Sequence, residues 1–337
     1  MAPIYDAVLI VSFGGPEGPD EVLPFLENVL RGKNVPRRRM LEVAEHYAHF
    51  GGVSPISEQN RALIAALVEE LKTHGPQLPV YWGNRNWHPL LPDTLRQMAD
   101  DGVRRALGFF TSAYSSYSGC RQYRENIETA REQVGPQAPQ VDKLRMFFNH
   151  PGFIGPMIER THAALATIPA ARRDKVQLIY TAHSIPLSMA ENCRYEAQLL
   201  EASRLVSEGV GVARWRLAYQ SRSGPPQQPW LEPDVGDALR AIRQQGEVHD
   251  VLVVPIGFIS DHLEVLYDLD VEAQQLADEL ELNMIRVATV GTHPRFVQMI
   301  RELIVERLSD NPQRQALGPL GPSHDVCPAD CCLYPRR

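Results

Sequence analysis

An acidic run follows the most hydrophobic strand predicted in this chain. Glu264, Asp268 and Glu272 are spaced four residues apart, so a helix would place them on one face at intervals of about 6 Å. Like charges at that spacing repel one another, most strongly where water is excluded. A bound cation, or protons retained because the carboxyl pKa values rise, would offset the repulsion. The pattern favours a site that handles cations or protons; the alternative is a solvated acidic helix face.

A histidine ends another predicted strand, in the segment Tyr180-Thr-Ala-His-Ser-Ile-Pro. The imidazole of His183 can take up a proton or ligate a metal near neutral pH, and a carboxylate such as Glu264 would tune which it does. Ser184 is not a predicted nucleophile, because the chain lacks a Gly-x-Ser-x-Gly motif. His183 is therefore a second candidate for chemistry, with a structural histidine as the alternative.

The five cysteines are unevenly placed and do not indicate a disulfide framework. Cys327, Cys331 and Cys332 lie within six residues near the end of the chain. They are one thiol short of a four-thiolate site, and Cys120 or Cys193 could supply the fourth. Zinc and an iron–sulfur cluster both accept four thiolates, so spacing alone leaves the two open. Reduced surface thiols on a loose tail are the alternative.

Short β-rich runs alternate with segments of helical periodicity, which predicts an α/β fold with parallel sheets. A pattern of three strands, each ending in a polar or glycine-rich turn, occurs once in each half. We therefore expect two similar lobes, at residues 1–150 and 151–310, and a tail at 311–337. Because open parallel sheets bind ligands beyond the carboxyl ends of their strands, we expect a cleft between the lobes. The helices predicted from periodicity are Glu21 to Leu30, Ser57 to Lys72, Pro92 to Asp100, Phe153 to Thr167, Tyr195 to Ser207, Val235 to Gln244, Val271 to Leu280 and Pro294 to Leu308.

The length and charge of the chain disfavour nucleic acids and membranes as its partners. The 337 residues carry 41 acidic groups against 34 Lys plus Arg, for a formal charge of -7, which disfavours nucleic-acid binding. The apolar runs fall short of the roughly 20 residues that cross a bilayer, so no membrane insertion is expected. The first residues lack the pattern of a secretory signal, which predicts a cytoplasmic protein. We further expect a monomer.

Several motifs, in one order along nearly the whole chain, together resemble the ferrochelatases, the lyases that insert ferrous iron into a porphyrin at the end of haem synthesis. These motifs are Ser12-Phe-Gly-Gly-Pro-Glu, Phe50-Gly-Gly-Val-Ser-Pro-Ile, Arg85 with Trp87-His-Pro, Ala182-His-Ser-Ile-Pro, Tyr219-Gln-Ser-Arg-Ser-Gly-Pro, Trp230-Leu-Glu-Pro and Gly257-Phe-Ile-Ser-Asp-His-Leu-Glu. The resemblance implies two Rossmann-like lobes, as in the class II chelatases, with a porphyrin cleft between them.

The resemblance also implies roles for individual residues. It places the family's essential histidine on His183 and its essential glutamate on Glu264, as catalytic groups and ligands of the Fe²⁺ substrate, facing each other from opposite lobes across the macrocycle. Asp268 and Glu272 fall on the family's acidic line, a relay for protons or metal. The residues expected to bind the porphyrin are Ser54, Tyr123, Phe13, Arg31 and Arg85.

The closest branch in character is that of the coproporphyrin III ferrochelatases that carry a [2Fe-2S] cluster, which favours coproporphyrin III over protoporphyrin IX as substrate. By this resemblance the ligands are Cys120, Cys327, Cys331 and Cys332, with Cys193 free. We expect the cluster to be structural or sensory and to pin the tail onto the first lobe. The alternatives are another tetrapyrrole chelatase, for cobalt or sirohydrochlorin, and a non-catalytic haem carrier.

Overall fold

The computed structural model describes residues 4–32, 35–225 and 227–334. The chain divides into two compact units, and neither is a continuous segment. The first unit consists of Met1–Thr111, Gln122–Leu144 and Ile300–Gln313. The second consists of Ser112–Arg121, Arg145–Met299 and Arg314–Arg337. Each unit is built around one parallel sheet.

The sheet of the first unit has four strands in the order β2-β1-β3-β4. Its strands are β1 (Ala7–Ser12), β2 (Val80–Asn84), β3 (Arg105–Phe110) and β4 (Gln140–Lys143). All the pairings are parallel. β1 is central, and its residues Ala7 to Val11 are fully buried. A β-branched, wholly apolar strand of this kind is what a sheet covered on both faces requires.

The second unit repeats this topology with the order β6-β5-β7-β8. Its strands are β5 (Gln177–His183), β6 (Trp215–Gln220), β7 (Asp250–Val254) and β8 (Asn283–Arg286). β5 is central and pairs in parallel with β6 and with β7. A core around β7 packs Val251 and Val253 against apolar side chains such as Leu239 and Leu269. The carboxyl ends of β5, β6 and β7 therefore meet at one edge of a rigid sheet.

Helices connect and cover the strands. They are α1 (Pro19–Val29), α2 (Arg37–His49), α3 (Ile56–His74), α4 (Leu91–Asp100), α5 (Gln122–Val134), α6 (Pro151–Thr167), α7 (Leu187–Ala190), α8 (Tyr195–Val210), α9 (Val235–Gln245), α10 (Leu263–Val265), α11 (Gln274–Glu279) and α12 (Pro294–Leu308). Two segments are π-helical, Tyr117–Arg121 and Leu266–Ala273, and Ala170–Lys175 forms a 3₁₀ helix.

The predicted α/β class and the strand pattern repeated in each half are confirmed. The compact units differ from the predicted segments, because Ser112–Arg121 lies in the second unit and Ile300–Gln313 in the first. The tail from Arg314 onward clusters with the second unit.

None of the helices within the described part of the chain is both long and apolar enough to span a bilayer.

Candidate active site

His183 is the last residue of β5, and its side chain is 34% exposed. Its Nδ1 contacts the carbonyl oxygen of Ser184 at hydrogen-bond distance. Because a carbonyl oxygen only accepts, this contact assigns the proton to Nδ1 and leaves the Nε2 lone pair for chemistry. The backbone around the ring is fixed, since the Tyr195 hydroxyl donates to the His183 carbonyl at 3.1 Å. The imidazole is thus oriented before any ligand binds.

Glu264 lies in the short helix α10, after the loop that follows β7. One of its carboxylate oxygens, Oε2, lies 3.7 Å from Nε2 of His183. Half of the Glu264 side chain is exposed, so the carboxylate keeps access to solvent. α10 begins at His262, whose Nδ1 accepts a hydrogen bond from the backbone N–H of Val265 at 3.4 Å. The imidazole and carboxylate therefore converge on one point beside the sheet edge.

The expectation that His183 and Glu264 come from opposite lobes is wrong. Both residues belong to the second unit, and they follow the adjacent strands β5 and β7. The physical reason is the right-handed parallel topology, which brings the carboxyl ends of neighbouring strands together. The two groups form a pair on one wall.

Asp268 lies in the π-helical segment Leu266–Ala273, directly after α10. Its Oδ2 accepts hydrogen bonds from the hydroxyl of Ser221 and from Nε2 of Gln220, the latter at 3.3 Å. Burial raises the pKa of Asp268 to about 7, and the nearby carboxylates of Glu264 and Glu272 add to that rise while the Ser221 hydrogen bond opposes it. A carboxyl group with a pKa near neutrality can both take and release a proton under ordinary conditions.

Gln220 and Ser221 join the acidic segment to the histidine strand. The carbonyl of Gln220 accepts from the backbone N–H of Ser184 at 2.8 Å. Nε2 of Gln220 donates to the backbone carbonyl of Glu264 at 3.1 Å. Ser221 has a φ of 61°, in the left-handed region that few non-glycine residues adopt. This backbone conformation aims its hydroxyl at Asp268. The only sequence signal for the contact is the position of Ser221 at a strand end.

His262 is a further neighbour of the pair that sequence reasoning did not select. Its ring packs edge-on against Phe258 with centroids 4.9 Å apart. Burial lowers the pKa of His262, so it carries no charge at neutral pH, and His183 lowers it further. A neutral ring here keeps positive charge away from an incoming cation.

Glu272 is exposed and lies at the solvent end of the acidic run.

Three of the predicted substrate-binding residues meet in the first unit. The Arg85 guanidinium lies 4.5 Å from the ring centroid of Tyr123 and 5.7 Å from that of Phe13. Its Nε donates to Oδ1 of Asn126 at 2.7 Å. Phe13 is 37% exposed, so its ring is accessible beside the guanidinium. Arg85 is thus a fixed cation bordered by aromatic rings.

The other two predicted substrate residues lie in different settings. Ser54 is buried, and its backbone N–H donates to the carbonyl of Pro16 at 2.8 Å. Gly15 packs against it so closely that a Cβ there would come within 2.8 Å of the Ser54 Cβ. Arg31 lies just beyond the end of α1 with an exposed side chain. The structure therefore groups Phe13, Arg85 and Tyr123 and does not bring Arg31 into that group.

The tail forms a separate cluster of metal-binding side chains in the second unit. The ligand atoms of His324, Cys327 and Cys331 lie within 4.8 Å of one another. Sγ of Cys331 is 3.5 Å from Sγ of Cys332. Burial, followed by the neighbouring Cys331, raises the pKa of Cys332. Thiol and imidazole donors that converge in this way fit a thiophilic metal centre.

The two remaining cysteines differ in their relation to the tail. Cys193 is near enough to Cys331 and Cys332 to interact with them electrostatically, although burial is the main cause of its raised pKa. Its thiol donates to the carbonyl of Met189 at 3.3 Å. Cys120 is buried in the π-helical segment Tyr117–Arg121.

Comparison with known proteins agrees with the site. The chain matches the ferrochelatase family over residues 5–308. It is 61% identical over 336 residues to the ferrochelatase of Rhodopirellula baltica, covering 99% of this chain and 95% of that protein. It is 52% identical over 350 residues to the coproporphyrin III ferrochelatase of Streptomyces coelicolor, covering 97% and 93% of the two chains.

Solved structures of low sequence identity share the fold. The sirohydrochlorin chelatase SirB from Bacillus subtilis subspecies spizizenii, in complex with cobalt, superimposes with a TM-score of 0.51 at 11% identity, over 90% of this chain and 95% of that one. DR2241 from Deinococcus radiodurans, described as similar to chelatases, gives a TM-score of 0.52 at 15% identity, over 90% and 56% of the two chains. Since the family match spans residues 5–308, the conclusion is that this chain belongs to the ferrochelatase family, the lyases that insert iron into a porphyrin in haem biosynthesis.

Proposed function

We propose that this chain inserts Fe²⁺ into coproporphyrin III and that His183, Glu264 and Asp268 carry the proton chemistry. The observation that carries the proposal is the 3.7 Å approach of His183 Nε2 to Glu264 Oε2, with Asp268 next in the acidic run. Free porphyrin must lose two pyrrole protons as the metal enters. Two proton acceptors, the His183 imidazole and the Glu264 carboxylate, suit that requirement. The fold already holds them in place, so they do not have to reorganise during the reaction.

The order of events follows from the protonation states. Nε2 of His183 accepts a pyrrole proton, since its Nδ1 is committed to the Ser184 carbonyl. Glu264 either receives that proton or contacts the incoming Fe²⁺, and Asp268, with a pKa of about 7, passes protons onward. Glu272 is exposed and releases them to water. A chain of positioned acids and bases of this kind is what general acid–base catalysis requires.

Coproporphyrin III is the proposed substrate because it carries four carboxylates, two more than protoporphyrin IX. Arg85, held beside aromatic rings by Asn126, offers a charged partner for one carboxylate. Phe13 offers an exposed ring against which a flat macrocycle can stack. The relatives at 52% and 54% identity that are named coproporphyrin III ferrochelatases support this choice.

An anaerobic assay with Fe²⁺ and each porphyrin tests the proposal. We expect the Soret band to report many turnovers with coproporphyrin III and slower turnover with protoporphyrin IX. Product that stops at one equivalent would identify a haem carrier instead. Faster insertion of Co²⁺ into sirohydrochlorin than of Fe²⁺ into either porphyrin would identify the other class of chelatase.

We also propose that the tail cysteines hold a [2Fe-2S] cluster, with Cys327, Cys331 and Cys332 as ligands and Cys120 as the fourth ligand that the family resemblance suggests. The convergence of Cys331 and Cys332 at 3.5 Å supports a shared metal. Such a cluster supplies structural or redox-sensing chemistry, because metal insertion transfers no electrons. Cys327→Ser should lower the iron and acid-labile sulfide content and the melting temperature more than it alters turnover. An unchanged melting temperature would contradict the structural role.

A further inference from the structure

The tail metal centre has more candidate donors than the four cysteines that the family resemblance names. His324 stands three residues before Cys327, and its Nε2 lies 3.7 Å from Sγ of Cys331. Of the residues described, His324, Cys327 and Cys331 are the group whose ligand atoms all approach within 4.8 Å. An imidazole therefore lies where the resemblance implies no ligand.

Two distances from Cys331 agree with tetrahedral coordination. A metal with bonds of about 2.3 Å to sulfur and about 2.0 Å to nitrogen separates two thiolates by about 3.8 Å, and a thiolate from an imidazole nitrogen by about 3.5 Å. The observed separations from Cys331 are 3.5 Å to the sulfur of Cys332 and 3.7 Å to the nitrogen of His324. The sulfur of Cys331 therefore takes part in both contacts, at distances that ligands of one metal ion would have.

Local backbone structure holds these donors in place. The backbone N–H of Cys331 donates to the carbonyl of Pro328 at 3.1 Å, closing a turn between Cys327 and Cys331. Cys332 has a φ of 54°, and this left-handed conformation accompanies the approach of two sequence-adjacent thiols. Arg314 pairs with Asp325 at 3.2 Å, next to His324. The donors are therefore preorganised by contacts other than a metal.

Arg121 and Tyr117 join the segment Ser112–Arg121 to the tail. The Arg121 guanidinium donates to the carbonyls of Ala329 at 2.8 Å and of Cys331 at 3.0 Å. The ring of Tyr117 packs on Tyr334 with centroids 4.8 Å apart.

We propose that His324 is a ligand of the tail metal centre together with Cys327 and Cys331. Cys332 lies outside that group but contacts Cys331, and it is the candidate fourth donor within these nine residues. The inference rests on the proposed metal-binding function of the tail and replaces Cys120 in its ligand set. A tetrahedral thiophilic metal is the shared chemistry, whether the iron of a sulfide cluster or a single ion such as Zn²⁺.

The test compares variants of the full chain, purified anaerobically, by metal analysis and by titration of the metal-free protein with Co²⁺. We expect His324→Ala to bind Co²⁺ about 100-fold more weakly, because one of four ligands carries a large share of the binding free energy. Cys120→Ser should bind like the wild type. His249→Ala is the matched control, since its side chain is 59% exposed on the same unit.

A rescue variant separates ligation from folding. His324→Cys keeps a donor at the position, so it should recover Co²⁺ affinity and shift the absorption bands towards those of a four-thiolate site. Full affinity in His324→Ala together with its loss in Cys120→Ser would overturn the inference.

Sulfide analysis distinguishes this inference from the cluster proposal. Iron with equimolar acid-labile sulfide in the wild type supports a cluster, and its loss in His324→Ala supports both proposals. A single metal ion without sulfide rejects the cluster while leaving His324 as a ligand. A wild-type protein that binds neither iron nor Co²⁺ at the tail overturns both.

Discussion

Nε2 of His183, at the end of β5, and Oε2 of Glu264, in the helix that follows β7, stand 3.7 Å apart. This arrangement makes the two groups one functional unit. A proton or cation bound to one group changes the electrostatic energy of the other, because the separation is within the range of strong electrostatic interaction. The sheet edge fixes the pair, so its geometry does not depend on domain movement.

Removal of either member should abolish chemistry and spare binding. We expect His183→Ala and Glu264→Gln each to lower metal-insertion turnover by about 10²-fold or more, the usual contribution of a positioned acid or base. Porphyrin affinity, measured by fluorescence quenching, should stay within about tenfold, since neither group anchors the macrocycle. Loss of affinity with turnover retained would contradict the assigned roles.

Ser221 should set the pH dependence of turnover through Asp268. Its hydroxyl stabilises the ionised carboxylate, so Ser221→Ala should raise the pKa of Asp268 above its value of about 7 and move the acidic limb of the turnover profile to higher pH. Ser221→Gly also removes the hydroxyl while relaxing the left-handed backbone, so it should shift the profile in the same direction. Ser223→Ala, at an exposed position in the same loop, is the control and should leave the profile unmoved.

Asp268 should make stability depend on pH. Its pKa is raised in the folded state to about 7 from 3.8, so the folded protein holds this proton more tightly than the unfolded chain does. The associated stability is complete below pH 3.8 and is lost as the pH rises through about 7. Asp268→Asn has no charge to desolvate and still offers an oxygen to Ser221. Its melting temperature relative to wild type should therefore rise between about pH 4 and pH 8; a difference that is constant with pH would contradict the prediction.

Arg85 should contribute to substrate affinity. Loss of a charged hydrogen bond to a carboxylate weakens binding by about tenfold or more. We therefore expect Arg85→Ala to raise the porphyrin KM by about that factor with little change in kcat. Arg104→Ala, which removes an exposed guanidinium elsewhere in the first unit, serves as the matched control. Equal effects of the two substitutions would indicate a general charge effect.

The sequence predicts the fold best where burial is two-sided. β1 is apolar from Ala7 to Val11 and β7 from Val251 to Val254, and the structure buries every residue of both strands. α2 and α5 were not predicted, because charged residues dominate both segments. Only Met40 and Tyr47 of α2 are buried, and α5 buries a sparse stripe that includes Tyr123 and Ile127. Such helices form because tertiary contacts outweigh a weak local pattern.

In the candidate site, too, some residues can be predicted from the sequence and others cannot. His183 and Glu264 could be selected from the motifs that contain them, but a motif does not specify which sheet presents each side chain. The contact of Ser221 with Asp268 depends on a φ of 61° in the loop after β6. His324 gave no signal beside the cysteines, because a lone histidine in a polar tail has no distinctive spacing. Contacts of this kind depend on loop geometry that residue types do not encode.

Each unit is assembled from segments that are far apart in the sequence, and this constrains when it can fold during translation. Every strand of the first sheet has left the ribosome once residue 143 has emerged, yet Ile300–Gln313 is the final piece of that unit. Leu303 and Ile304 in this piece are almost completely buried. Until they arrive, the nascent first unit exposes the apolar surface that they will cover. Its folding is therefore completed only near the end of translation, and a stop codon before residue 300 would yield an aggregation-prone fragment in place of a stable half.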